Sequence, residues 1–448
     1  MSEHSFKSPE NVNIPSAQEE THSEHHTHHH HHRHHRFWVG GKKSKKRNKL
    51  LRFFRHNRKK FMYIGTGLFL ALVLVVLAIV LDGRQIKQAI FKPTVLENKQ
   101  PSESITIKIP FFIRDVSLVS PAVNAYMEVD ASTKASDIFK EFKENNSIRL
   151  DVGYPIKIAY DVTGIPDGYN VKKSEVVVSE NEMLTGGKVY PIKNSAAGVN
   201  LYHLKTNTQY YFRINLTLSN GAETSAQGSF KTADTPRILS VEGVGNLRDI
   251  GGWATSSGKE IKQGMLYRGT ELDGAVESRY AITSSGVNTM LTVFGIRTDM
   301  DLRSSADNKY GTDALGASVK HIYYDAPMYS GVYMESKKQT VRTIFGDLAK
   351  AENYPVYLHC TYGLDRTGTI CYLLEALLGV SEDDLMRDYQ LSSLYHGELK
   401  GLTELKDFVA HLKTFEGATM QEKTENYLLS CGVSAQEIQN IRTIFLAD

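Results

Sequence analysis

Residues 354–368 read "YPVYLHCTYGLDRTG" and run on into "TICYLLEALLGV" at 369–380. The part up to Cys360 is a short apolar run rich in β-branched and aromatic residues, and it reads as a strand. From about Arg366 the apolar residues recur three and four apart, and the chain reads as a helix. The segment between joins a strand's C-terminal end to a helix N-terminus, the place where open α/β sheets bind ligands. Backbone N–H groups there have no intrahelical partner and form an anion nest. Gly363 and Gly368 permit the tight path. The same field favours a thiolate at Cys360. Arg366 offers a planar fork that fits two phosphate oxygens, and Thr367 is placed to donate its hydroxyl to the sulfur.

Alone, a cysteine before a helix reads as a small buried residue, and an arginine at a helix start as a solvated one. The two together, with Thr-Gly following, are far more specific. A metal-ligand reading of Cys360 lacks a second cysteine at ligand spacing. The chain has three cysteines, Cys360, Cys371 and Cys431, which make neither a disulfide framework nor a CxxC pair. Cys371 and Cys431 read as structural.

The 448 residues carry 41% hydrophobic side chains and a formal net charge of +3. That length predicts two to four domains, and the small net charge hides a strong asymmetry. Residues 1–60 form a polar tail with "HHTHHHHHRHHR" at 25–36, a composition that cannot bury a core. It reads either as a tract that captures metal weakly or as a plain disordered tail. Residues 33–60 hold thirteen Lys/Arg and no Asp or Glu. Nucleic-acid binding is one reading of such a run, but "FMYIGTGLFLALVLVVLAIVL" at 61–81 follows it without a charge. At about 1.5 Å per residue these residues cross a hydrocarbon core of about 30 Å as a helix. The basic side stays cytoplasmic, which predicts a single-pass cell-membrane protein with everything beyond a linker at 82–104 outside. A cleaved signal would have a shorter apolar region and a small-residue cleavage site.

From 105 to 235 the texture is all-β, with "YPIKIAYDV" (154–162), "SEVVVSE" (174–180), "QYYFRINLTLS" (209–219) and "AQGSFKTA" (226–233) as short strands between Gly, Asn, Asp and Pro. "SDIFKEFKE" at 136–144 reads as a short helix. From 236 to 448 strands such as "HIYYDAP" (321–327) alternate with helices such as "EDDLMRDYQLS" (382–392) and "SAQEIQNIRTIFL" (434–446), which predicts an α/β layer fold.

Two resemblances add to this reading. "LKTNTQYYFRI" at 204–214 and "GSFKTADTPR" at 228–237 resemble a fibronectin type III module. Leu204, Thr208 and Tyr210 fit its tyrosine corner, while Thr206 stands where proline is usual. "HCTYGLDRTG" at 359–368 resembles the phosphate loop of cysteine-dependent protein tyrosine phosphatases. "GNLRDIGGW" (245–253), "GMLYRGTELDG" (264–274), "GIRTDMDLRSS" (295–305) and "DYQLSS" (388–393) follow as in the bacterial tyrosine/serine phosphatases of the atypical dual-specificity type. That resemblance implies an α/β phosphatase domain acting on phosphotyrosine proteins or small phosphomonoesters, without metal or cofactor and without nucleic acid. Cys360 would form a phosphocysteine and Arg366 would clamp equatorial oxygens. Amides of Thr361, Tyr362, Gly363, Leu364, Asp365 and Arg366 would hold the rest, beside Thr367 and Gly368, and His359 would orient the loop. Asp325 and Asp365 are the leading candidates for the general acid, with Asp301 more suited to an ion pair with Arg303. Arg248 and Asp249 would brace the loop or line the pocket. Leu364 stands where close relatives often carry lysine, which favours a singly phosphorylated substrate over phosphoinositides. The alternatives are an inositol phosphate or phosphoinositide phosphatase, and a non-catalytic phospho-ligand or adhesion protein.

Overall fold

The computed structural model describes residues 105–109, 116–130, 138, 153–193, 198–234, 236–305, 307, 313–396 and 402–446. The His-rich basic tail, the apolar run 61–81 and the linker 82–104 lie outside the described residues, as does nearly all of 136–144. No helix among the described residues is long and apolar enough to cross a membrane. Every described residue falls in one compact unit, 93–448.

The N-terminal part of that unit is all-β. Strands β1 (Thr106–Lys108), β2 (Ile156–Ala159), β3 (Asp161–Thr163), β4 (Val171–Ser179), β5 (Lys188–Ile192), β6 (Gly198–Leu201), β7 (Gln209–Leu218) and β8 (Glu223–Lys231) follow in chain order. An antiparallel sheet of order β5-β4-β7-β8 faces the β2–β6 and β1–β3 pairs. Period-2 alternation decides the faces. Tyr210, Phe212, Ile214, Leu216 and Leu218 of β7 are buried while the residues between them are not. Tyr210, Phe212, Ile214 and Leu216 meet Ile156, Ile158 and Leu201 in one core. Before β7 the backbone N–H of Lys205 donates to the Tyr210 hydroxyl at 2.9 Å, which ties the turn to the strand as in a tyrosine corner.

The C-terminal part is layered. Strands β9 (Arg237–Ile238), β10 (Arg248–Asp249), β11 (Leu266–Gly269), β12 (Thr298–Asp301), β13 (Lys320–Tyr323) and β14 (Val356–His359) form a sheet of order β13-β12-β14-β11-β10-β9. The strands from β13 to β11 are parallel, and β10 and β9 add antiparallel pairs. Central β14 is buried throughout. Its Val356 and Leu358 enter one apolar cluster and Tyr357 the opposite one, as expected of a parallel strand covered on both faces.

With α1 (Pro121–Glu128) preceding β2, the helices of this part are α2 (Ser284–Thr292), α3 (Glu335–Leu348), α4 (Asp365–Leu378), α5 (Glu382–His396), α6 (Leu402–Leu412), α7 (Met420–Ser430) and α8 (Ala435–Phe445). Helix α4 is buried on every side from Thr367 to Leu378 and stops at Gly379 in the left-handed region, a common helix C-cap. It is therefore the central helix, and its first turn is fixed from all sides.

The sequence boundary at 235 separates two parts that the fold joins. Helix α1 lies N-terminal to that boundary, yet its Val123 and Tyr126 pack on Leu391 and Leu394 of α5. Arg387 of α5 donates to the Tyr126 and Val129 carbonyls. The 203–207 turn is bonded across: Gln263 receives the Thr206 N–H, Glu260 receives Asn207, and His203 reaches the Ser240 carbonyl. At the centre is Arg237, 5% exposed, which donates to the carbonyls of His203 and Leu204 and to Asp249 at 2.6 Å. Arg237→Met leaves a buried carboxylate without its cation, which typically costs about 3–5 kcal/mol. Urea unfolding of the full chain should show a loss of that order.

Candidate active site

Strand β14 delivers His359 and Cys360 to the C-terminal end of the parallel strands, and α4 begins five residues after Cys360. The loop between is shaped by its carbonyls. Thr361 O accepts from the Glu271 N–H at 3.1 Å. Tyr362 O accepts from Asn246 Nδ2 at 3.2 Å and lies 3.1 Å from His396 Nε2. Gly363 O accepts from Asn246 at 3.2 Å and from Arg268 Nη2 at 3.1 Å. In a trans peptide the C=O and the next N–H point opposite ways. Three carbonyls held outward therefore turn the amides of Tyr362, Gly363 and Leu364 inward. The amides of the first turn of α4 have no helical acceptor either. Together they form a concave set of donors suited to an anion.

Gly363 makes this path possible. Its φ is +65°, and a Cβ there would stand 2.4 Å from the Gly269 carbonyl. Gly368 serves close packing, since a Cβ would lie 2.8 Å from the Tyr389 ring.

The braces are themselves anchored. Arg248 donates to Asp388, Asn246 and Ser392, and Arg268 donates to Asp388 at 2.6 Å. All of these groups are buried. Arg248 is thus a brace of the loop, 2% exposed, and does not line a pocket. Asp249 serves the domain junction through Arg237. Behind Thr361, Arg303 is gripped by Asp301, Glu271 and Asp273, so the Asp301–Arg303 ion pair expected from the sequence is present.

His359 Nε2 lies 3.0 Å from Asp299 Oδ1, off the in-line geometry of a hydrogen bond, and its Nδ1 lies 3.2 Å from the Cys360 carbonyl. Burial opposes its charge, but the Asp299 and Asp301 carboxylates outweigh burial and push its pKa up to about 9. A protonated ring can donate from Nδ1 to the Cys360 carbonyl while Nε2 faces Asp299 as an ion pair, and it sets a positive charge behind Cys360.

The remaining candidates fall in different places. Arg366 is partly exposed and pairs with Asp307 at 2.8 Å. The Thr367 hydroxyl is fully buried and has no hydrogen-bond partner among the described residues, so its expected bond to the Cys360 sulfur is not made. Leu364 is 2% exposed and packs in the main core. It removes a side chain from the anion site instead of lining it. Asp365 accepts from the Tyr329 hydroxyl, which in turn meets Tyr389 Oη at 2.5 Å. Asp325 is exposed and pairs with Lys337 at 3.2 Å. Cys371 and Cys431 are buried in the core. Asn246, Arg268, Asp388, Ser392 and Asp307 were not singled out in the sequence, although all but Asp307 lie in segments quoted for the family resemblance.

Residues 239–447 match the profile of the tyrosine phosphatase family. This part of the chain belongs to that family. A protein named as a tyrosine-protein phosphatase in Cupriavidus necator is 27% identical over 177 residues, covering 34% of this chain and 61% of that protein. The tyrosine-protein phosphatase of Nostoc commune is 26% identical over 196 residues, covering 34% of this chain and 67% of that protein. In this phosphatase domain, then, the loop from His359 to Gly368 is the candidate active site.

Two outcomes test the geometry. Gly363→Ala carries about 1–3 kcal/mol of backbone strain into the loop, so orthophosphate affinity measured by calorimetry should fall roughly tenfold or more. For His359, a folded pKa above its ordinary 6.5 gives stability that is full below pH 6.5 and lost as pH rises through about 9. The loss is at most about 3 kcal/mol. Urea midpoints across that range should fall in the unmutated chain and fall less in Asp299→Asn.

Proposed function

We propose that the protein is a membrane-anchored phosphatase that hydrolyses phosphomonoesters, chiefly phosphotyrosine, through Cys360. The observation that carries this reading is the loop itself: a cysteine at the strand end, amides turned inward by three fixed carbonyls, and Arg366 at the helix start. The Cys360 thiolate attacks phosphorus, the ester P–O bond breaks, and the departing oxygen takes a proton from a carboxyl group. Water then cleaves the phosphocysteine and releases phosphate. This divides one difficult displacement into two, and the charge that develops on the phosphoryl group meets donors already in place.

Substrate choice follows from Leu364. Its side chain lies in the core, so it supplies no second cation for additional phosphates, and a singly phosphorylated ester is favoured. The names of the two relatives agree with this reading. Membrane anchoring rests on the uncharged run 61–81 and the basic flank before it, which put the phosphatase domain outside the cytoplasm. The β-sandwich with its Tyr210 corner supports a fibronectin type III-like module.

Cys360→Ser should reduce aryl phosphate turnover to background. Rapid acid quenching of the unmutated chain with labelled phosphotyrosine peptide should leave label on Cys360. Normal turnover by the serine variant, or equal turnover of inositol phosphates and phosphotyrosine peptide, would count against this reading. External protease on intact cells should remove residues beyond 82, and full protection would reverse the topology.

A further inference from the structure

The arginine that would clamp the substrate is already occupied. Arg366 Nη1 lies 2.8 Å from Asp307 Oδ2, with both side chains partly open to water. Asp307 is held in place: its Oδ2 accepts from Ser304 Oγ at 2.9 Å, and its N–H donates to the Ser304 carbonyl at 3.0 Å. That turn follows directly on the Asp301–Arg303 pair, and Leu302 N–H donates to the His359 carbonyl at 2.8 Å. Two hydrogen bonds to Ser304 thus hold a carboxylate on the clamp.

The other acidic groups of the region are engaged elsewhere. Asp365 accepts from Tyr329, Asp325 pairs with Lys337, and Asp301 is held on Arg303. Among the described residues, Asp307 is the carboxylate whose ion-pair partner is Arg366.

We propose that Asp307 is the acid that protonates the leaving oxygen, released from Arg366 when the substrate's phosphate takes that guanidinium. The assignment rests on the phosphatase reading above. Binding exchanges one anion for another on Arg366. The displaced carboxylate loses its cation and faces a dianion, and both changes raise its proton affinity. Solvent access lets it take up a proton. As Cys360 Sγ bonds to phosphorus and the P–O bond breaks, that proton passes to the departing phenolate oxygen, leaving phenol and the Asp307 carboxylate. In the second step the carboxylate takes a proton from the water that attacks the phosphocysteine, giving inorganic phosphate and the free thiolate. The partly exposed pair with Arg366 is weak, so substrate displaces it readily.

The test compares esters that differ in their need for an acid. Asp307→Asn in the full chain should lower kcat for phenyl phosphate about 10²-fold or more. It should lower kcat for nitrophenyl phosphate, whose anion leaves unaided, far less, and it should remove the alkaline limb of the kcat–pH profile. Asp365→Asn should show no such dependence on the leaving group. An equal loss on both esters overturns the assignment, as does a lower KM with unchanged kcat, which would make Asp307 only a plug. An unmutated chain inactive on both esters overturns the phosphatase reading and this assignment with it. An active one with the wrong Asp307→Asn pattern overturns the assignment alone.

Discussion

Asp388 holds two buried arginines at once, and the shape of the anion loop depends on it. Arg248 and Arg268 both reach its carboxylate. Arg268 continues to the Gly363 carbonyl, and Arg248 fixes the Asn246 amide that holds Tyr362 and Gly363. Glu375 stands close by, and burial, with Asp388 adding to it, pushes its pKa well up. Asp388 is the carboxylate that both guanidiniums reach. Buried ion pairs seldom add stability over apolar packing. Here the energetic burden has a structural return, because the arginines turn the loop's amides inward.

The opposite side of the loop carries the reverse balance. Arg303 is surrounded by Asp301, Glu271 and Asp273, and the Glu271 N–H holds the Thr361 carbonyl. His359 and Asp299 lie between these groups, where the surrounding carboxylates keep the ring charged. The strand end that carries Cys360 is thus braced by acids on one side and by arginines on the other. Arg248, for which the sequence left bracing and pocket lining both open, is consumed entirely in the bracing.

The strand, the loop and the helix were legible because their signals are local: an apolar run, a glycine where φ is positive, and helical spacing from Arg366. The Asp301–Arg303 pair was legible for the same reason, being two residues apart. The Asp388 network was not, because its partners are 120 to 140 residues away and no periodicity records such pairings. The burial of the Leu364 side chain was not legible either, because the core beneath this loop reaches up to meet it. Asp307 was missed because nothing in "SSADN" marks which acid a distant arginine will meet.

The junction between the two parts bears on what the β-sandwich does. Neighbouring residues of a strand point to opposite faces, and β10 is only Arg248 and Asp249. Arg248 faces the anion loop's brace, while Asp249 takes Arg237 and, through it, the His203–Leu204 turn of the sandwich. A module free to pivot as a spacer would have to break a buried ion pair one residue from the brace of the candidate active site. The sandwich is therefore built into the scaffold of that site, because the His203–Leu204 turn is tied through Arg237 to Asp249, the residue next to the loop's arginine support.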